Sequence, residues 1–219
     1  RSVSNAIGLA RLEQEERDVR NASTFGVGQL FIEALDAGFS DFIIGVGGSA
    51  TNDGGAGMIQ AMGGKLTNAN GDEIARGGIA LSDLANIDVS GLDPRMVGAN
   101  VVVACDVNNP LCGTRGASAV FGPQKGATYK DIQELDVALG NFAEIIAKDL
   151  HTDVAKIPGA GASGGLGAGL MGFFDARLRL GADIVLEALS LDKHLEDADL
   201  VIVGEGQFDR STVFNKSRS

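Results

Sequence analysis

Phe42-Ile-Ile-Gly-Val46 runs directly into Gly47-Gly-Ser-Ala-Thr-Asn-Asp-Gly-Gly55, and Ala56 to Met62 then resumes a helical pattern. A short apolar run without alternation reads as a strand buried on both faces. The glycine-rich turn and the helix it opens complete one α/β unit. Val101-Val-Val-Ala-Cys105 and Leu200-Val-Ile-Val203 repeat the pattern, each ending abruptly in polar or glycine-rich sequence. The expected fold class is therefore α/β. Open α/β sheets bind ligands at the carboxyl ends of their strands. Three such ends gather Ser49, Asp53, Asp106, Asn108, Glu205 and Asp209 around one cleft.

Working outward, Phe25, Leu30, Ala34 and Leu35 recur at helical spacing, and Gly38 follows as a C-terminal cap. The charged stretch from Arg11 to Asp18 reads as a surface loop within residues 1–23. Lys65 to Ile74 reads as a β-hairpin turning at Asn70-Gly71. Residues 77–100 read as irregular. Thr128 caps a long helix over about 129–150, in which Ile132, Leu135, Leu139, Phe142, Ile146 and Leu150 form one apolar face. A second glycine block, Pro158 to Gly169, leads into a short helix through Phe173, and a further helix covers about 182–189.

The 219 residues are 44% hydrophobic and 21% charged, an ordinary globular balance. Glycine stands out: 32 residues, about twice the usual share. The glycines cluster between apolar runs, which suits loops that bring backbone close to a ligand. The net charge of −11 and the lack of a basic stripe argue against a nucleic-acid partner, whose phosphates require clustered Lys and Arg. An anionic substrate must then be met by local groups: a metal ion, backbone N–H groups, or one or two cations. No apolar stretch is long enough to cross a bilayer and no signal peptide is visible, so a cytoplasmic location without a membrane partner is expected.

The motifs narrow the chemistry. Gly47 to Gly55 offers backbone N–H groups, the Ser49 and Thr51 hydroxyls and the Asp53 carboxylate at a helix start, a favourable place for an anion. The plainer reading is a capped turn with Asp53 as N-cap. The spacing is not that of a Walker A loop. Gly164-Gly-Leu-Gly167 has dinucleotide-like intervals but follows no clear strand, so close helix packing through small residues is the preferred reading. Asp106, directly after a strand, suits a Mg²⁺ ligand or a base, or caps the turn of Asn108-Asn-Pro110. Glu205 and Asp209 hold a metal, accept a substrate proton, or are solvated. Lys125, set between Gly122-Pro and Gly126, is either a phosphate or carboxylate binder or an ordinary surface lysine. His151 and His194 lie near helix ends and read as partners of the helix dipole. No Ser-His-Asp or Cys-His pairing supports hydrolase chemistry. Cys105 and Cys112 lack zinc or redox spacing, and Cys105 reads as a small buried hydrophobe.

Five blocks in register carry a resemblance: Phe42 to Met58, Ala104 to Leu111, Gly116 to Ala127, Gly159 to Gly169 and Leu200 to Gly206. Together they resemble the bacterial glycerate kinases of the 2-phosphoglycerate-forming type. The resemblance implies a two-lobed α/β kinase without a P-loop, transferring the γ-phosphoryl group of ATP to D-glycerate with Mg²⁺. It implies substrate or phosphate contacts from Gly47, Gly48, Ser49, Thr51, Asn108, Lys125, Gly164, Gly165, Glu205 and Lys216, and a metal at Asp106. Asp53, Asp106 and Asp209 remain rivals for the catalytic base. Homo-oligomers are compatible with it. The family's Asp-Ser-Phe-Lys and Asp-Gly-Gly-Glu-Gly motifs do not precede Arg1, and Asn215 stands where glycine is usual. Residues 1–219 are thus expected to form a single α/β region, the central part of a two-domain kinase without its terminal segments. The competing expectation is a non-catalytic small-anion binding domain. A Rossmann dehydrogenase is disfavoured, because its G-x-G-x-x-G belongs in the first βα turn.

Overall fold

The computed structural model describes residues 3–196, 198 and 200, in two units, 1–181 and 182–219. In the first unit the order is α1 (Val3–Ile7), α2 (Phe25–Asp36), β1 (Asp41–Gly45), α3 (Ala56–Ala61), β2 (Lys65–Thr67), β3 (Asn86–Asp88), β4 (Asn100–Ala104), α4 (Ala117–Phe121), α5 (Tyr129–Leu150), α6 (Ala162–Phe174) and β5 (Arg177–Arg179). The second unit contributes α7 (Gly181–Ala188), which starts on the last residue of the first, and α8 (Leu191–Leu195). The α/β class is as expected.

A parallel three-stranded sheet in the order β1-β4-β5 is the frame of the first unit. Register pairs Asp41 with Asn100 and Gly45 with Ala104, so the carboxyl ends of β1 and β4 finish side by side. The third strand is β5, which sequence reading missed. Arg177-Leu-Arg179 has no apolar run, and pairing with Val102 to Ala104 alone makes it a strand. The expected strand at 200–203 lies outside the described residues, apart from Leu200.

Local signals behaved as written. Helix α2 ends in paired bonds, Phe39 N to Ala34 O (3.0 Å) and Gly38 N to Leu35 O (3.0 Å), with Gly38 at φ +85°. This is the glycine-closed C-terminus that satisfies otherwise orphaned carbonyls. The Thr128 hydroxyl accepts from Asp131 N (3.2 Å) and the Asp131 carboxylate accepts from Thr128 N (2.9 Å), a reciprocal capping box at the start of α5. Leu135, Leu139, Phe142 and Ile146 of α5 are fully buried, and the last three pack with Met58 and Ile59 of α3 and Leu166 and Leu170 of α6 in one core.

Other expectations held in part. The charged stretch from Arg11 to Asp18 is largely exposed, as expected, while the residues flanking it hold α1 and the buried Ile7 and Val19. Residues 77–100 are not irregular. They form a 3₁₀ helix over Gly78–Asp83, strand β3 and a 3₁₀ turn over Pro94–Met96. The hairpin turning at Asn70-Gly71 forms, with Asn68 N bonded to Asp72 O (2.9 Å), Ile74 N to Leu66 O (2.9 Å) and a Thr67–Glu73 bridge, and β2 pairs further with β3. An apolar groove of about 800 Å³ runs between α2 and β1, past Leu30, Phe31, Phe42 and Ile44. It follows the whole length of the strand, from Asp41 to Gly45.

Candidate functional site

Strand β1 delivers its chain into the Gly47–Gly55 loop, and β4 delivers Asp106 and Asn108 beside it. Gly47, Gly48, Asp106 and Asn108 are exposed, whereas Ser49, Thr51, Asn52 and Asp53 are buried beneath them. The site is therefore two-tiered: a solvent-facing rim of glycine backbone and polar side chains over a buried polar layer. Asp106 Oδ1 accepts from Gly181 N (2.9 Å).

Each residue of the buried layer is held by a different element. Asp53 Oδ2 accepts from Thr24 N (2.8 Å), Thr24 Oγ1 (2.9 Å) and Gly57 N (3.2 Å), and Oδ1 from Gly55 N (3.3 Å). The starts of α2 and α3 thus converge on one carboxylate, where helix N–H groups and dipoles favour negative charge. Complete burial pushes the Asp53 carboxyl pKa up, and these four donors oppose that shift. Gly55, not Asp53, is the N-cap residue of α3, at φ +91°. Asn52 Nδ2 donates to Ser118 Oγ of α4 (2.9 Å). Thr51 is reached by Lys125, whose Nζ donates to the Thr51 carbonyl (2.6 Å) and lies 3.4 Å from Ser49 Oγ. Lys125 is only 2% exposed, so it is no surface lysine. Burial drives its pKa down to about 8, against the opposing pull of the Asp53 charge.

The second glycine block forms the wall of this layer. Ser163, Gly164 and Gly165 take left-handed backbone at φ 51°, 68° and 89°. Gly164 O accepts from Gly54 N (3.0 Å), and a side chain on Gly164 would collide with the Thr51 carbonyl oxygen. The glycines are there for close packing of one glycine block on the other, the reading preferred from sequence. Among the described residues, buried polar atoms without a hydrogen-bond partner include Thr51 Oγ1, Asn52 Oδ1 and Ser163 Oγ, all on these two blocks. Buried polar groups are normally satisfied, so such a cluster marks a place with spare bonding capacity.

Of the expected site residues, Gly47, Gly48, Ser49, Thr51, Asp53, Lys125, Gly164 and Gly165 come together around one loop. Asp106 and Asn108 stand on the neighbouring strand end. Glu205, Asp209 and Lys216 lie outside the described residues. Sequence reading missed Thr24 and Ser118 as partners of the loop. Ser23-Thr24 before Phe25 carries a capping signal that places Thr24 at a helix start. No local signal marks Ser118, because its partner Asn52 is 66 residues away. His151 caps α5 in left-handed backbone (φ 59°). No helix of the described residues is long and apolar enough to span a membrane, and no group of three or more His, Cys, Asp or Glu among them is placed to hold a metal.

The sequence matches the glycerate kinase family over residues 2–219. It is 53% identical over 214 residues to the glycerate 2-kinase of Escherichia coli K12, covering 98% of this chain and 56% of that protein. It is 52% identical over 215 residues to a glycerate kinase of Halalkalibacterium halodurans, covering 98% of this chain and 57% of that protein. A crystal structure assigned as a glycerate kinase 2 of Salmonella typhimurium LT2 superposes with a TM-score of 0.89 at 54% identity, over 95% of this chain and 56% of that one. The chain thus spans somewhat more than half the length of these relatives. On the extent of that match and the shared fold, the chain belongs to the glycerate kinase family.

Proposed function

We propose that this protein transfers the γ-phosphoryl group of ATP to the 2-hydroxyl of D-glycerate. The observation that carries the reading is the two-tiered loop pair at the adjacent carboxyl ends of β1 and β4. Phosphoryl transfer asks for positioning and charge neutralisation more than for covalent chemistry. Exposed backbone at Gly47 and Gly48 and the Ser49 and Thr51 hydroxyls supply an anion-favouring floor, and Lys125 holds that loop through the Thr51 carbonyl. Gly164 and Gly165 shape its wall, and Asn108 offers an amide at the rim. Asp106, exposed at a strand end, has the oxygen chemistry that Mg²⁺ takes from one or two carboxylates alongside substrate phosphates. Mg²⁺ there would neutralise phosphate charge. Between Asp53 and Asp106, Asp106 is the better placed base: Asp53 is sealed by four donors, whereas Asp106 reaches solvent. Asp53 is then the anchor that joins the loop to two helix starts.

The test is glycerate-dependent ADP release by the 219-residue chain with MgATP, run beside a control lacking glycerate. The same assay follows on the chain extended by the flanking segments of the Escherichia coli relative. Expected is ADP release in at least the extended form, with a product that enolase consumes directly, as a 2-phosphoglycerate must be. ADP release with a product refractory to enolase removes the 2-hydroxyl assignment. Silence in both forms refutes the kinase reading.

A further inference from the structure

We infer that Lys125 is a positioning residue, setting the Gly47–Gly55 loop through the Thr51 carbonyl, and does not itself touch phosphate. The functional consequence rests on the kinase reading above; the geometry does not. Lys125 is 2% exposed, and the short bond of its ammonium group is to the Thr51 carbonyl oxygen at 2.6 Å. Its hydrogen-bond partners are that carbonyl and the Ser49 hydroxyl, both on the loop and both neutral. A lysine meant for a phosphate would keep its charged head in the cleft, because the flexible stem readily carries it there.

The base of the side chain is fixed as firmly as its head. Lys125 closes the 3₁₀ turn Pro123–Lys125, with its own N–H bonded to Gly122 O (2.9 Å) and Gly126 following at φ +89°. Arg17 Nη1 donates to the Gln124 carbonyl (3.0 Å), tying that turn to the N-terminal segment. The stretch from α4 through this turn therefore grips two consecutive loop residues, Asn52 by Ser118 and Thr51 by Lys125. Asp53, the third, is held from the other side by Thr24. With its carbonyl oriented by Lys125 and faced by Gly164, Thr51 keeps a buried hydroxyl that has no partner. Binding groups act best when their own geometry is locked by neighbours, and small displacements of such groups are expensive in rate.

Three measurements decide this. In hydrogen exchange on the ligand-free 219-residue chain, Lys125→Met is expected to speed exchange across residues 47–55 by about 10-fold or more, leaving residues 135–146 of α5 unchanged. Exchange in the loop identical to the parent chain overturns the inference. In whichever form releases ADP, Lys125→Met is expected to lower kcat/KM for glycerate about 100-fold while the KM for MgATP stays within about twofold. A selective rise in the MgATP KM is the signature of a phosphate ligand and also overturns it. The third uses the unaltered protein and stands if the variant fails to fold: acetic anhydride labelling with and without MgATP. Lys125 is expected to stay unmodified in both, being enclosed; labelling that MgATP suppresses contradicts the inference. Exchange and labelling need no turnover, so their result is separate from the fate of the kinase reading.

Discussion

At the scale of single residues, the glycines of the two blocks are steric requirements set by their partner block. Gly164 combines left-handed backbone (φ +68°) with a β-carbon position that meets the Thr51 carbonyl and lies 2.7 Å from Asn52 Cα. Gly164→Ala incurs the left-handed backbone penalty of about 1–2 kcal/mol and an overpacking penalty of about 1–3 kcal/mol. The expected loss is about 3 kcal/mol or more of unfolding free energy in urea titration. A loss under about 1 kcal/mol would mean that the two blocks do not touch as described. Ser163 bears the same backbone strain without being glycine, and its hydroxyl is one of the unpartnered buried atoms.

At the scale of elements, α5 illustrates how far local chemistry reaches. Thr128 and Asp131 close the capping box, and Arg20 reaches Asp131 Oδ1 at 2.7 Å from the N-terminal segment. These donors hold the Asp131 carboxyl at about 2, the Thr128 bonds contributing most. Thr128→Ala removes one acceptor for the helix N-terminus and one donor to Asp131. The expected cost is about 1 kcal/mol, within the usual range for a lost cap, with Thr128→Ser restoring most of it. Calorimetric melting of the three proteins reads the difference; no change in the alanine variant would show that the cap is redundant. The element that sequence could not supply was β5, whose existence depends on β4 being there to pair with it.

At the scale of the whole molecule, stability should carry the imprint of a buried cation. Lys125 has a folded pKa of about 8 against 10.5 for an ordinary lysine. Between these values the unfolded chain holds a proton that the folded chain has released. Folding stability therefore rises with pH through about 8 and levels off above 10.5. The thiol of Cys112, pushed up to about 12 by burial, acts oppositely once unfolded thiols ionise near 9. The clean window is pH 7.5 to 9, where the parent chain should gain about 1 kcal/mol relative to Lys125→Met in urea midpoints. Parallel pH profiles for the two proteins would remove the buried ammonium from the account.

By itself the sequence determined the α/β class, the two longer parallel strands, the capped helices α2 and α5 and the loop that carries Ser49, Thr51 and Asp53. These follow from signals contained within a few residues: apolar runs, glycine after a helix, threonine three residues before an acid. Tertiary structure decided what those loop residues face. Lys125 reads equally as a surface lysine or a phosphate binder until the fold brings it 74 residues back along the chain onto Thr51. Asp53 reads as a capping residue or a base until Thr24, 29 residues earlier, occupies its carboxylate. The physical reason is the same in both cases. Backbone propensity is a local property, whereas burial and hydrogen-bond partners belong to chain segments that meet only when the core has formed.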